Sequence, residues 1–362
     1  MSWLTSLGRP WAVVGATLGA ALALALTVGL TGTASSVSAA STPAPFAAKS
    51  PLTTGASAVP GAVLDRVLTD PRIGESSGLA VSRRHEGVLW THNDSGDAAR
   101  LYAIGPDGPT LATVTLAGVR PRDWEALASS VDSDGTPVLW VADIGDNLGA
   151  RINGVIVHRI EEPMDLADVE VEPMSYRLRY PGAPVDAESV LVDPSDGRLL
   201  VVTKTPVGGV VYAAPLPLSA AEPNLLEPLG PAPNFLTDGA FAPDGRMLVR
   251  GYGGMWAGDP ESGWSGPVKL PPAEQGESLA VSVDGTSMYV GSEGVGSEVW
   301  RVPLPGAVAP AAATGPAVAA PDWGQDRPYA AADGAQWAIP VLVGGLAFLL
   351  ALALVVTRRI RR

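Results

Sequence analysis

The sequence has no cysteine, and only three lysines and three histidines among its 362 residues. Without cysteine the chain has no disulfide framework, no thiolate metal site and no thiol nucleophile. The histidines are His85, His92 and His158, too few and too scattered for a histidine-based metal site, and only His92 is well placed for acid–base chemistry. Arginine far outnumbers lysine, and alanine, glycine and proline are abundant, which indicates a GC-rich bacterial genome.

Basic residues are scarce relative to acidic ones. The chain has 24 lysines and arginines against 37 aspartates and glutamates, a formal net charge of −13. Five of the arginines flank two long apolar segments, 11–30 and 337–356, so the polar middle of the chain is more acidic still. Such a surface repels nucleic acid and anionic lipid headgroups, and we therefore expect no nucleic-acid partner. It is compatible with cation binding, or simply with solubility.

These two segments are far more apolar than the rest of the chain. Residues 11–30 carry no charge and lead into "SVSAAS", which predicts a signal peptide over residues 1–40, or an N-terminal membrane anchor if that segment stays uncleaved. Residues 337–356 are long enough to cross a bilayer, and the basic tail at 357–362 contains four arginines. This pattern predicts a C-terminal transmembrane helix with its tail in the cytoplasm. The expected location is the cell membrane, single-pass, or two-pass with an uncleaved anchor, and the middle of the chain is expected to be extracellular.

Low-complexity tracts separate these segments from the middle of the chain. Residues 41–60 form a Pro/Ala/Ser linker, and residues 306–336 form an Ala/Pro stalk. Such compositions cannot bury a core and are typical of semi-extended spacers. One domain, residues 61–305, remains between them.

That domain shows short apolar runs separated by "DG" and proline-containing turns, with almost no helical periodicity. The runs fall into five blocks of four, and "GESSGLAVS" (74–82) in the first block is echoed by "GESLAVSVDG" (276–285) in the last. The last block lacks its fourth run, while "AVLDRVLT" (62–69) precedes the first block and belongs to none. We therefore predict an all-β, five-bladed β-propeller closed by an N-terminal strand, since borrowing a strand removes the open edge. A β-sandwich would explain the strands but not the fivefold order.

The first run of each block carries an acid or a hydroxyl at a matching place. These runs are expected to be the innermost strands, which line the central channel of a propeller. The predicted metal-ligating set is Glu75, Ser77, Glu125, Glu188, Asp238 and Glu277, with Thr237 as the alternative to Asp238 in another register. Converging carboxylates repel one another unless they are protonated or bridged, and oxygen-only ligands suit Ca²⁺ or Mg²⁺. The alternative is a solvated acidic channel without metal.

The ends of the second runs form another polar set. They include "HNDSGD" (92–97), "ADIGDN" (142–147), Lys204, "RGYGG" (250–254) and "SEG" (292–294), all expected to open on one face of the ring. This mixture favours a polar binding surface, although Asp, Asn and Gly are also the commonest turn residues. If the protein is an enzyme, the candidate catalytic residues are His92, Asp94 and Asp143.

The five blocks, the expected secretion and phrases such as "AESVLVDPSDGRLLVVTK" (187–204) resemble the layout of calcium-dependent apyrases. Those enzymes are five-bladed propellers that hold one Ca²⁺ in the channel and hydrolyse nucleoside diphosphates. The resemblance implies a cation among Ser77, Glu125, Glu188, Thr237 or Asp238, and Glu277. The chain is also similar to secreted or membrane-anchored bacterial five-bladed propellers of uncharacterised function, which implies a topology but no activity.

Three classes of function remain open on the sequence alone. The first is a cell-surface binding module for an unknown extracellular ligand or protein, held to the membrane by its C-terminal helix, with Ca²⁺ in the channel in a structural or catalytic role. The alternative is a Ca²⁺-dependent hydrolase, acting on phosphoesters, nucleotides or glycosides at the propeller mouth. A structural envelope protein would need neither site. We favour the binding module, since it requires only the fold, the stalk and the anchor.

Overall fold

The computed structural model describes residues 59–306. Within this range the chain forms 22 strands in five sheets, whose main strands run antiparallel, and contains no helix. The part of the chain that the structure describes therefore includes no helix that could cross a membrane. The predicted signal segment, most of the first linker, the stalk, the C-terminal helix and the basic tail lie outside the described residues. The prediction of an all-β, five-bladed propeller is confirmed.

The blades follow the order of the sequence blocks. The N-terminal strand is β1 (Val63–Val67). Blade 1 contains β2 (Ser76–Val81), β3 (Leu89–Asn93), β4 (Arg100–Ile104) and β5 (Thr110–Leu116). Blade 2 contains β6 (Trp124–Val131), β7 (Pro137–Asp143), β8 (Val155–Glu161) and β10 (Met174–Arg179). Between β8 and β10 in the sequence, β9 (Val169–Val171) pairs with β5 and belongs to the sheet of blade 1.

Blade 3 contains β11 (Ala187–Val192), β12 (Leu199–Thr203), β13 (Gly209–Ala213) and β15 (Glu227–Ala232). Between β13 and β15 in the sequence, β14 (Asn224–Leu225) pairs with β10 and belongs to the sheet of blade 2. Blade 4 contains β16 (Leu236–Phe241), β17 (Met247–Gly251), β18 (Gly254–Asp259) and β19 (Gly263–Val268). Blade 5 contains β20 (Leu279–Val281), β21 (Ser287–Val290) and β22 (Glu298–Pro303).

The fourth strand of blade 5 is β1, as the sequence predicts. It runs antiparallel to β22, with Val63 opposite Arg301 and Leu64 opposite Trp300. The ring is therefore closed by main-chain hydrogen bonds between the first and last strands of the domain. Because each blade reverses direction at every strand, the first strand begins and the last strand ends on the same face of the ring.

The hairpins between the first and second strands repeat one turn in four blades. Each has an aspartate followed by a glycine with positive φ, and an aspartate oxygen accepts the backbone N–H two residues on. Glycine is required because the turn needs a left-handed residue there. The four pairs are Asp134–Gly135, Asp196–Gly197, Asp244–Gly245 and Asp284–Gly285. These are the "DG" signals that separate the apolar runs in the sequence.

The hydrophobic core is divided into five clusters, one between each pair of neighbouring blades. Successive residues of a strand point to opposite faces, so one inner strand contributes to two clusters. In β2, Leu79 packs between blades 5 and 1, whereas Ala80 packs between blades 1 and 2. The side chains of the inner strands therefore fill the blade interfaces, and only specially oriented residues reach the channel.

Candidate functional site

A β-bulge turns one side chain of each of four inner strands toward the channel. In blade 2 the pairing of β6 with β7 skips Glu125, in blade 3 the pairing of β11 with β12 skips Glu188, and in blade 4 the pairing of β16 with β17 skips Thr237. In blade 1 the bulge contains Ser77 and Gly78. A bulge re-aims the extra residue out of the ladder, so these residues escape the alternation that sends their neighbours into the blade interfaces.

Carboxylates from different blades come together at one end of the channel, which we call the acidic mouth: Glu75, Asp94, Asp123, Glu125, Glu188, Glu277 and Glu293. Its tightest group is Asp94, Asp123 and Glu125, whose carboxylate oxygens all lie within 4.8 Å of one another. Asp94 follows β3 of blade 1, and the other two residues lie at the start of blade 2. The two blades are tied at this point by a 3.0 Å hydrogen bond from the Trp124 amide to the Asp94 carbonyl.

Glu125 is the most buried member of this cluster and has no hydrogen-bond partner among residues 59–306. The residue is only 5% exposed, and one carboxylate oxygen of Asp94 is likewise buried without a partner. Burial, followed by the charges of Glu188 and Asp94, raises the pKa of Glu125 to about 11. Burial and the neighbouring Asp123 raise the pKa of Asp94 to about 7. At neutral pH the cluster therefore requires a proton or a bound cation.

The backbone of Gly145 packs directly against the acidic cluster. A Cβ at Gly145 would collide with the carboxylates of Glu125 and Asp123. The loop is held there by a 3.2 Å hydrogen bond from the Gly145 amide to the Asp123 carbonyl, and by Arg151, which donates to the Gly145 carbonyl at 3.0 Å. The backbone at Gly145 therefore lies so close to Glu125 and Asp123 that a side chain at this position would not fit.

Lys204 follows β12 of blade 3 and brings a positive charge to the acidic mouth. Its ammonium group forms an ion pair with Glu188 and donates to the Tyr252 hydroxyl at 3.3 Å, and that hydroxyl donates to Glu277 at 3.0 Å. Burial opposes the charge on Lys204, but the charge and hydrogen bond of Glu188 together outweigh it and raise the pKa of the lysine. Glu188 is thus paired with the ammonium group of Lys204, and Glu277 accepts a hydrogen bond from the Tyr252 phenol. Among the described residues, the cluster around Glu125 has no such partners.

The remaining residues of the predicted metal-ligating set lie in other surroundings. Ser77 donates to Glu293 at 3.4 Å, and the exposed Glu75 accepts from the Ser95 hydroxyl at 3.0 Å. Asp238 is fully buried and accepts the backbone N–H groups of Gly239 at 2.8 Å and Leu279 at 2.6 Å. Both of its carboxylate oxygens are therefore used inside the blade 4–blade 5 interface, and the register places Thr237 in the bulge instead.

Of the three candidate catalytic residues, only Asp94 lies in the acidic mouth. His92 is fully buried, packs edge-on against Trp124 at 5.6 Å, and has its pKa lowered to about 4 by burial. Asp143 forms a buried ion pair with Arg151 at 2.7 Å. It also accepts the amides of Arg122 at 3.1 Å and Asp123 at 3.3 Å, which orients the segment carrying the acidic cluster.

Sequence reasoning missed Asp123 as a member of the site. Its signal is the spacing Asp123–Trp124–Glu125, because residues two apart on a strand share a face. The same spacing recurs in Asp186–Ala187–Glu188, and burial raises the pKa of Asp186 as well. The rule that relates Glu75 to Ser77 applies equally to these two blades.

The other end of the channel differs from the acidic mouth. A cavity of 910 Å³ opens there, lined by the ends of the inner strands, by the aspartate–glycine hairpins and by Leu216–Pro217–Leu218. None of the carboxylates of the acidic mouth lines it. The cluster of unpartnered charge, rather than this cavity, is therefore the candidate functional site.

Comparison with known proteins gives distant structural similarities. No protein-family model matches the chain, and no curated protein matches its sequence. A luciferin-regenerating enzyme is 13% identical with a TM-score of 0.42, over 68% of this chain and 96% of its own. A Xanthomonas campestris gluconolactonase is 15% identical with a TM-score of 0.39, over 64% of this chain and 72% of its own. A glucose dehydrogenase is 12% identical with a TM-score of 0.43, over 68% of this chain and 100% of its own.

Because their TM-scores lie between 0.39 and 0.43, these similarities support no conclusion about the fold or the site of this chain. The resemblance to calcium-dependent apyrases gains no support from them. The residues of the acidic mouth therefore carry the evidence on function.

Proposed function

We propose that the protein is a cell-surface binding module whose acidic mouth holds a divalent cation, Ca²⁺, between Asp94, Asp123 and Glu125. The observation that carries this proposal is the unpartnered, 5% exposed Glu125, which lies among carboxylates within 4.8 Å and beneath a glycine. A purely structural acid would be given hydrogen-bond donors, because an unpaired buried charge is strongly unfavourable.

The chemistry of the donors favours a hard cation. All three side chains offer carboxylate oxygens, and no histidine or cysteine joins the group. Oxygen-only sites suit Ca²⁺ and Mg²⁺, and Ca²⁺ accepts six to eight oxygens in irregular geometry. Three carboxylates leave coordination positions open, so a ligand entering the acidic mouth would reach the cation.

Binding is favoured over hydrolysis because none of the three candidate catalytic residues is free to act as a general base. His92 is sealed in the blade interface, Asp143 is committed to Arg151, and Asp94 would itself be a metal ligand. One observation favours the alternative, a Ca²⁺-dependent hydrolase: the pKa of Asp94 is raised to about 7 by burial and Asp123, a value suited to proton transfer at neutral pH. The hydrolase is therefore kept as the second candidate.

The topology predicted from the sequence completes the proposal. We assign residues 1–40 to export or anchoring, residues 306–336 to a stalk and residues 337–356 to a membrane helix, with the propeller outside the cell. Protease added to intact cells should remove the propeller domain, and protection of that domain would refute the orientation.

The cation proposal is tested by titrating the purified chain with CaCl₂ in a calorimeter and by measuring its melting temperature with calcium and with a chelator. We expect one bound Ca²⁺ and a higher melting temperature in calcium, since a ligand that binds only the folded state stabilises it. Glu125→Gln and Asp123→Asn should abolish the calcium effect. Asp134→Asn, which changes a turn aspartate at the other end of the channel, should retain it. Identical melting with calcium and chelator, together with no calorimetric heat, would refute the proposal.

A further inference from the structure

Apolar side chains are exposed around the acidic mouth on loops from four different blades. Leu148 is 91% exposed and Val295 is 69% exposed, although single exposed apolar residues are ordinary on protein surfaces. Here six occur on one face, around one opening. We call them the apolar rim: Leu148 and Ile152 from blade 2, Val207 from blade 3, Phe235 from the connection to blade 4, Tyr252 from blade 4 and Val295 from blade 5.

The apolar rim contacts the acidic mouth at Tyr252. Tyr252 reaches the channel, where its hydroxyl contacts Lys204 and Glu277. Phe235 has a φ of 51°, which is rare for a bulky residue, and its amide donates to the Thr205 carbonyl at 3.0 Å. The backbone therefore holds an aromatic ring 45% exposed at a position where glycine would be the easier residue.

Among residues 59–306 the carboxylates on the blade 5 and blade 1 side of the mouth form no ion pair, although the charge of the buried Arg250 acts on Glu277. Glu75 accepts from Ser95, Glu277 from Tyr252 and Glu293 from Ser77, all of them neutral donors. The ammonium group of Lys204 is matched by Glu188, and a cation in the Asp94 cluster would be matched by three carboxylates. Excess negative charge therefore remains beside Tyr252 and Val295.

We propose that the acidic mouth and the apolar rim form a docking surface for a protein segment that presents a lysine or arginine side chain between apolar residues. The basic group would enter beside Glu277 and Glu293, and the flanking apolar side chains would cover Tyr252 and Val295. A basic anchor with apolar flanks matches both features of this face, whereas an acidic or purely polar ligand matches neither. Glu125, buried and unpartnered at the base of the same opening, is a further acceptor for such a segment.

The experiment selects peptides from a phage-displayed random dodecapeptide library on the immobilised full chain, then measures the affinity of the enriched peptides. We expect a basic residue flanked by apolar ones, with binding that weakens as salt concentration rises. Glu277→Gln combined with Glu293→Gln should weaken binding at least about tenfold, and Val295→Ser should weaken it severalfold. Val283→Ser and Glu86→Gln, exposed changes on the opposite face, serve as matched controls and should leave the affinity unchanged.

Three results would overturn the docking surface: no enrichment, enriched peptides without a basic residue, or equal loss of binding in the control variants. The selection is run in calcium and again in chelator, because the proposal does not depend on a bound cation. Peptide binding in both media by a chain that fails to bind calcium would sink the cation site and leave the docking surface standing. Calcium binding without peptide enrichment would do the reverse.

Discussion

Replacing Glu125 by glutamine should stabilise the protein when calcium is absent. Because the pKa of Glu125 is raised from 4.5 to about 11, the folded chain holds a proton there at pH 7 that the unfolded chain has released. Each pH unit above 4.5 therefore lowers the free energy of unfolding by about 1.4 kcal/mol, or about 3 kcal/mol at pH 7. Glutamine does not ionise in either state, so Glu125→Gln avoids this loss.

The sign of the pH dependence is fixed by the direction of the shift. The folded pKa lies above the unfolded one, so the stability contribution of Glu125 is complete below pH 4.5 and declines as the pH rises toward 11. Urea unfolding in chelator, followed by tryptophan fluorescence, should show Glu125→Gln and the wild type equally stable near pH 4.5. At pH 7 the variant should be more stable by about 3 kcal/mol, or about 6–12 °C in melting temperature.

Glu162→Gln provides the matched control for this prediction. Glu162 is as buried as Glu125, but it accepts hydrogen bonds from the Ser82 hydroxyl, the Arg83 amide at 3.0 Å and the Trp90 indole at 2.8 Å. Glutamine would place an amide N–H against donors, so this variant should be less stable by about 1–3 kcal/mol. If Glu125→Gln were also destabilising, or if its advantage did not grow with pH, the description of Glu125 as an unpartnered acid would be wrong.

Three further predictions concern the fold and the site. Deleting residues 59–67 removes β1, and we expect aggregation or loss of cooperative urea unfolding, because β22 becomes an open edge; an unchanged unfolding curve would contradict ring closure. Gly145→Ala should lower the calcium-induced rise in melting temperature, since the added methyl group overlaps two carboxylates, and an unaltered rise would argue against the cluster. Burial lowers the pKa of His158 from 6.5 to about 4, between Asp143 and Arg151; stability should fall by about 3 kcal/mol as pH drops from 6.5 to 4, and the same loss in His158→Gln would refute this.

The fold could be predicted from the sequence because its determinants are local and repeated. Each aspartate–glycine pair fixes a hairpin by its own turn geometry, and four such turns mark the first hairpins of four blades. The unmatched run at residues 62–69 could then be assigned only to the incomplete last block, as its fourth strand. Repetition made the count reliable, since an error in one block would have broken the order of the others.

The site could be predicted only in part because it depends on contacts between blades. That Glu125 and Glu188 face the channel follows from their matching places in the blocks. Sequence does not show that Lys204 takes Glu188 as its partner, or that Asp94 of blade 1 lies against Glu125 of blade 2. The choice between Thr237 and Asp238 depended on a single bulge, and a shift of one residue moves a side chain from the channel into a blade interface.

The pairing of β1 with β22 also determines when the protein can fold. β1 is among the first parts of the domain to be synthesised, and its partner is the last strand, with almost the whole domain between them. Contacts between residues so far apart in sequence form slowly, because the entropy of the intervening chain is lost before the contacts stabilise the fold. Until residue 303 has left the ribosome, β1 remains an unpaired strand with apolar side chains. The growing chain therefore needs protection from aggregation throughout synthesis, and a chain terminated before β22 cannot close its ring at any length.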